Sequence, residues 1–133
     1  MSVQWCRSVE HTHTAFAGEC FLDELAIASE TDPLKFRLDH LVKPEAAPYR
    51  AVLTTAAQAA GWDKPLAPGA PGEKRGRGVA VQSAFGTFVA HVAEVTVAAD
   101  GTFKVDRLVV VVDCGVAINP SIIRAQMEGG AGW

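Results

Sequence analysis

Residues 63–76, DKPLAPGAPGEKRG, divide the chain into stretches with two different hydrophobic periods. Before them, apolar side chains recur every three or four positions, as on one face of a helix; after them, they alternate, as on one face of a strand. Proline, glycine and charge crowd the divide, so it reads as a surface loop. One change of period along the chain points to an α+β fold, with N-terminal helices packed on a small antiparallel sheet and a further helix at the C-terminus.

The N-terminal part, residues 1–62, is expected to be mainly helical. Residues 1–14 carry no helical period and read as a loop or short extended segment. Within FAGECFLDELAIASE, Phe16, Cys20, Phe21, Leu25 and Ala28 fall at helical spacing, with Glu19, Asp23 and Glu30 mainly on the other side. Asp32-Pro33 opens a second helix, as an N-cap followed by proline at the first helical position. Leu34, Leu38 and Leu41 form its apolar stripe. A third helix over YRAVLTTAAQAAGW ends at Gly61, a suitable C-terminal cap.

In residues 77–133 the spacing predicts a β-hairpin followed by a helix. The β part begins near Gly78. Val79 and Val81 alternate with smaller or polar residues, and Val89, Ala93, Val95 and Val97 line one strand face with His91 among them. Asp100-Gly101 is a hairpin turn signal, after which Phe103, Val105 and Leu108–Val112 form the returning strand. Asn119 caps the last helix and Pro120 opens it. That helix is barely two turns old when Gly129-Gly130 arrives, and no partner strand closes the sheet after it, so the chain is expected to be a piece of a larger protein.

With 133 residues, 49% of them apolar and 20% charged, the chain can bury the core of one modest domain. A net charge of -3 argues against nucleic acid as a partner, because binding phosphates requires a basic surface. No apolar run approaches the roughly 20 residues that a membrane helix needs, which argues against a membrane. The N-terminal MSVQWCRSVEH lacks the basic flank and apolar stretch of a signal peptide. Cys6, Cys20 and Cys114 are odd in number and far apart, so they read as reduced, mostly buried thiols and not as a disulfide or zinc framework. The cytoplasm is the default compartment.

The chemistry concentrates in the last helix. Ile122, Gln126 and Gly129/Gly130 lie on neighbouring faces, because residues three and four apart stack. An amide can donate and accept at once. Adjacent glycines cost roughly 1 kcal/mol each inside a helix relative to alanine, a cost offset where something must approach the backbone closely. Two readings stand: Gln126 presents an amide to a planar polar ligand, or it is solvated and Gly129-Gly130 is a C-cap. Elsewhere the bland readings are favoured. His11 and His13 have no third metal ligand at suitable spacing and read as a solvated loop. His91 reads as a hydrogen-bonded core residue. Glu10, Glu19, Asp23 and Glu24 read as helix surface, and the KRGR run at 74–77 as a loop charge cluster. Cys114, next to Asp113, invites a nucleophile reading, but no partner histidine is visible in the sequence. No metal site is expected.

Three blocks, WCRSVEHTHTAFAGECFLDELA, RGRGVAVQSAFGTFVAHVAEV and VDCGVAINPSIIRAQMEGG, follow one another in an order that resembles the molybdopterin-binding large subunit of the xanthine dehydrogenase/aldehyde oxidase family. The branch they resemble is the isoquinoline 1-oxidoreductase beta-subunit type. The resemblance implies that the parent hydroxylates an aldehyde or N-heterocycle with water as oxygen source, working with an iron–sulfur subunit and the remainder of the large subunit. It implies that Gln126 hydrogen-bonds the pyranopterin of the molybdenum cofactor, with Gly129 and Gly130 beside it. Arg7 of WCRSV matches an arginine near the molybdenum centre, although Ser8-Val9-Glu10 replaces the Gly-Phe-Gly of relatives. Phe85 or Phe88 would line the substrate pocket. The resemblance leaves the periplasm open for the full-length parent. The family's general base, a glutamate in a GVGE-like motif, has no counterpart in this chain. No catalytic residue is therefore assigned, and the chain is expected to be inactive alone and not to retain the cofactor. The rival reading is a non-enzymatic fragment that folds and associates with partner chains.

Overall fold

The computed structural model describes residues 8–132, as four α-helices and three β-strands. The order is α1 (His11–Ala28), α2 (Pro33–His40), a single 3-10 turn (Pro44–Ala46), α3 (Ala47–Ala60), β1 (Lys74–Ala84), β2 (Thr87–Val97), β3 (Phe103–Asp113) and α4 (Pro120–Ala131). The α+β class read from the sequence holds. Among the described residues, no helix is long and apolar enough to cross a membrane.

Local signals account for most element ends. Asp32 Oδ1 accepts from Lys35 N at 2.9 Å and Pro33 takes the first position of α2. Gly61, at φ +69°, ends α3 in the left-handed conformation that a Cβ would strain. Its neighbour Trp62 donates its backbone N–H to Ala57 O at 2.9 Å, closing the cap.

The strands form an antiparallel meander in the order β1-β2-β3, one strand more than the expected hairpin. The loop Phe85-Gly86 makes the difference: both residues have positive φ, 51° and 80°, as a tight two-residue hairpin turn requires. β1 also starts at Lys74, inside the segment read as loop. Arg75 and Arg77 of that KRGR run pair across the register with Thr96 and Glu94. They continue the strand because each guanidinium has a partner. Arg75 reaches Glu94, while Arg77 donates to Gly61 O at 3.1 Å and lies 4.5 Å over the Trp62 ring. From β3, Arg107 donates to Ala59 O at 2.8 Å and Ala60 O at 3.2 Å. Arg77 and Arg107 satisfy the carbonyls at the C-terminus of α3, where the helix dipole is negative.

The core lies between α3 and one face of the sheet. Val52, Leu53, Ala56 and Ala60 of α3 meet Val79, Val81, Ala90 and Val92, with Leu34, Leu38 and Leu41 of α2 packed around them. Three alanines on the inward side of α3 let helix and sheet approach closely. The strand face singled out in the sequence (Val89, His91, Ala93, Val95 and Val97) is the other face, and it is only half-buried. Both faces of β2 are apolar, so alternation alone does not choose between them.

Helix α1 reverses its expected orientation. Its buried residue is Ala26, and Phe16 and Phe21 are 73% and 58% exposed. Glu19 and Asp23 turn inward instead, because Arg37 of α2 sits between them with its side chain 1% exposed. Arg37 Nε donates to Glu19 Oε2 at 2.9 Å and Nη1 to Asp23 Oδ1 at 2.7 Å; Nη1 and Nη2 also reach Pro33 O and Glu19 O. Glu19 Oε2 further accepts from Val81 N of β1 at 3.1 Å. One carboxylate thus ties α1 to α2 and to the outer edge of β1. The apolar stripe of α1 faces out because a buried guanidinium must have carboxylate partners.

Candidate cofactor-facing site

The site is assembled at one end of the sheet. Strand β3 ends at Asp113, which pairs with Phe88 of β2, so the junction into α4 lies beside the β1–β2 hairpin. Gly115, at φ +74°, turns the chain, and its N–H donates to Asp113 Oδ1 at 3.1 Å. Asn119 Oδ1 then accepts from Ser121 N at 3.1 Å and Ile122 N at 3.2 Å, and Pro120 opens α4. The strand–turn–helix read from the sequence forms as expected, for the local reasons expected.

Ile123 and Met127 turn towards the sheet, where they line a cleft of about 550 Å³ with Leu108, Val110 and Val112. Ile122, Gln126 and Gly129 are exposed. The helix runs through Gly129 and Gly130 to Ala131, so these glycines are interior positions and not a cap. A Cβ at Gly129 would meet nothing within 4 Å. No contact among the described residues therefore requires a glycine at 129, while a ligand approaching that face of the backbone would.

Phe85 sits at the hairpin tip, 82% exposed, edge-on to His11 at 5.5 Å. Phe88, one residue into β2, is half-buried and packs edge-on against Tyr49 at 4.9 Å. The fold brings both phenylalanines to the end of the sheet where α4 begins, Phe85 open and Phe88 against the core. Arg7 lies outside the described residues. His11, read as loop, is the first residue of α1 and contacts Gln82 at 3.4 Å. The sequence marked it only as half of the His11/His13 pair, because it lies ahead of the apolar period that reveals the helix.

The other side chains of note are correspondingly placed. His91 lies on the half-buried sheet face with no hydrogen bond to its ring among the described residues, contrary to the expected core partner. Burial lowers its pKa, which keeps the ring neutral at pH 7. Cys20 is exposed and Cys114 half-buried, both free thiols, against the expectation of buried ones. Cys20 comes to the surface because α1 turns its carboxylates inward. Among the described residues no three His, Cys, Asp or Glu side chains are grouped to hold a metal ion.

The strand–turn–helix thus places Gln126 on the exposed surface of α4, one turn from the open backbone at Gly129. The chain belongs to the molybdopterin cofactor-binding domain family, which it matches over residues 17–133. It is 36% identical over 94% of its length to a nicotinate dehydrogenase subunit of Pseudomonas putida, of which it covers 11%. It is 33% identical over 98% of its length to the isoquinoline 1-oxidoreductase beta-subunit of Brevundimonas diminuta, of which it covers 16%. It is 30% identical over 97% of its length to a membrane-bound aldehyde dehydrogenase [pyrroloquinoline-quinone] of Gluconacetobacter polyoxogenes, of which it covers 18%. The chain thus spans less than a fifth of the length of these relatives. No solved structure matches it.

Proposed function

We propose that this chain forms one wall of the cofactor site in a molybdenum hydroxylase large subunit, with the Gln126 amide hydrogen-bonding the pyranopterin. The carrying observation is the outward face of α4, where Gln126 is exposed and the backbone at Gly129 is open. An amide that donates and accepts suits the edge of a pterin, and a helix surface without Cβ atoms lets a flat ring system approach. Gly129 and Gly130 supply that room. Arg7 would stand near the metal end of the cofactor, and Phe85 or Phe88 would border the substrate.

When bound, the cofactor supplies the redox chemistry by which the whole enzyme oxidises an aldehyde or N-heterocycle with water as oxygen source. The residues of this chain bind and orient; the general base and the electron route to an iron–sulfur partner lie in the rest of the assembly. Two relatives bear names of N-heterocycle oxidation and one of aldehyde oxidation, which supports this substrate range. Alone, the chain turns over nothing and does not retain molybdenum.

The test is a graft. The chain replaces the matching segment of the Pseudomonas putida nicotinate dehydrogenase, with and without Gln126→Ala. Molybdenum content and dye-linked oxidation of nicotinate are measured beside the isolated chain. Loss of a hydrogen bond to a bound group, about 1–3 kcal/mol, lowers molybdenum affinity by about five-fold or more. Retention unaffected by Gln126→Ala sinks the proposal, and turnover by the isolated chain sinks the assignment of catalysis elsewhere.

A second reading, a non-enzymatic piece that associates with partner chains, is favoured by the apolar side chains left exposed on α1 and β3. Phe16, Phe21, Phe103 and Val105 are each more than half exposed.

A further inference from the structure

The outward stripe of α1 and the half-buried face of the sheet are the two walls of one groove. Phe16 and Cys20, with the Arg37-paired Glu19 and Asp23 beside them, form one wall, and Val89, His91 and Ala93 the other, around a cavity of about 430 Å³. The face continues onto β3, where Leu108, Val110 and Val112 pair with Ala93, His91 and Val89. Helix α1 stands over the β1 side of this face and α4 leans over the β3 side; no described element covers the middle strand.

A sheet with one solvated face alternates apolar and polar residues. A sheet covered on both faces reads apolar throughout. β2, TFVAHVAEVTV, and the VVVV run of β3 are of the second kind. One face has its cover in α3. The other face has the composition of a covered face without the cover, and His91 in its middle is half-buried with no hydrogen-bond partner among the described residues. Half-burial of an imidazole without a partner is costly, and closer packing would require the covering element to bring one.

The length of the relatives indicates the source of that cover. This chain matches 11–18% of each of them, so several times its own length of polypeptide accompanies the same segment there. We infer that the groove between α1 and the sheet is the seat for the rest of the molybdopterin-binding subunit. The seated segment would be apolar, lie between Phe16 and the β2–β3 face, and carry one hydrogen-bonding group placed for the His91 ring. The inference rests on the reading of this chain as part of such a subunit. It adds which face is buried and what the buried segment must carry. It also accounts for the orientation of α1: turning the carboxylates towards Arg37 leaves the apolar stripe to form a groove wall.

The test is cysteine accessibility, read residue by residue by mass spectrometry after maleimide labelling. Phe16→Cys, on the α1 wall, and Leu108→Cys, where the sheet face continues onto β3 beside Ala93, are made in the isolated chain. The aligned positions are replaced in the intact Pseudomonas putida nicotinate dehydrogenase. Each rate is compared with that of its own unfolded form. In the isolated chain both sites should label within about ten-fold of the unfolded rate, and in the intact relative both should label at least about a hundred-fold more slowly than unfolded, because modification there waits for local opening. Fast labelling at either position in the intact relative overturns the inference. Slow labelling in the isolated chain together with a dimer mass overturns it in favour of a second copy as the cover. Labelling is independent of molybdenum, so failure of the Gln126 assignment would leave this result standing, and failure here would leave that assignment open to its own test.

Discussion

Replacing Arg37 with methionine should be among the most damaging single changes to this fold. Its side chain is 1% exposed, and that of Glu19 is 15% exposed. Methionine keeps most of the volume and removes the charge. It leaves the largely enclosed Glu19 carboxylate with the Val81 N–H as its remaining hydrogen-bond donor among the described residues. Breaking a buried pair by removing one partner costs about 3–5 kcal/mol. Asp23, with its side chain 41% exposed, regains water and adds less than about 1 kcal/mol. Against a total stability of about 5–15 kcal/mol for a small domain, this is a large share. Urea unfolding followed by far-UV circular dichroism and tryptophan fluorescence, extrapolated linearly, measures it. The companion variant Glu19→Leu/Arg37→Met removes the orphaned carboxylate as well. It should be more stable than Arg37→Met alone, because the largest cost is the unpaired charge and not the lost attraction. A loss under about 1 kcal/mol for Arg37→Met, or a double variant as damaged as the sum of the two single changes, would refute the argument that Arg37 sets the orientation of α1.

Three further outcomes are expected. Burial lowers the His91 pKa, so the unfolded chain takes up this proton more readily than the folded one; stability should therefore fall as pH drops below the ordinary histidine value near 6.5, and His91→Gln should flatten that part of the curve, measured as urea midpoints from pH 7.5 to 5.5. Gly61→Ala should cost about 1 kcal/mol in the same assay, because a Cβ is strained at φ +69°. Asn119→Ala should cost about 1 kcal/mol locally, seen as faster hydrogen exchange in α4, while the global unfolding midpoint stays within about 0.5 kcal/mol, because α4 has no buried residue.

Much of the candidate site was legible in the sequence because its signals are local. Asn119-Pro120 marks the start of α4, and the spacing of Gln126 and Gly129 places them near one another on the helix surface. Phe85 and Phe88 stood as alternatives on the resemblance alone, and their different surroundings were not legible. Phe85 is open because Gly86 and its own positive φ make the hairpin tip, whereas Phe88 is held by Tyr49, which lies far from it in sequence. His91 was assigned to a packed core because its neighbours are apolar, and the core formed on the opposite face.

The sequence by itself determined where the elements begin and end and what kind each is, wherever a cap, a turn residue or a hydrophobic period acts within a few positions. Asp32-Pro33, Gly61, Asp100-Gly101 and Asn119-Pro120 all act in this way. Only the tertiary structure decided which way those elements face. Helix α1 could bury phenylalanines or carboxylates, and β2 is apolar on both sides, so neither orientation is contained in its own segment. Arg37 settles the first from 18 residues beyond Glu19, and α3 settles the second by covering the face that carries Ala90 and Val92. A residue's period fixes its neighbours along one element, but burial is a property of the partner across the contact, and that partner is known only once the chain has folded.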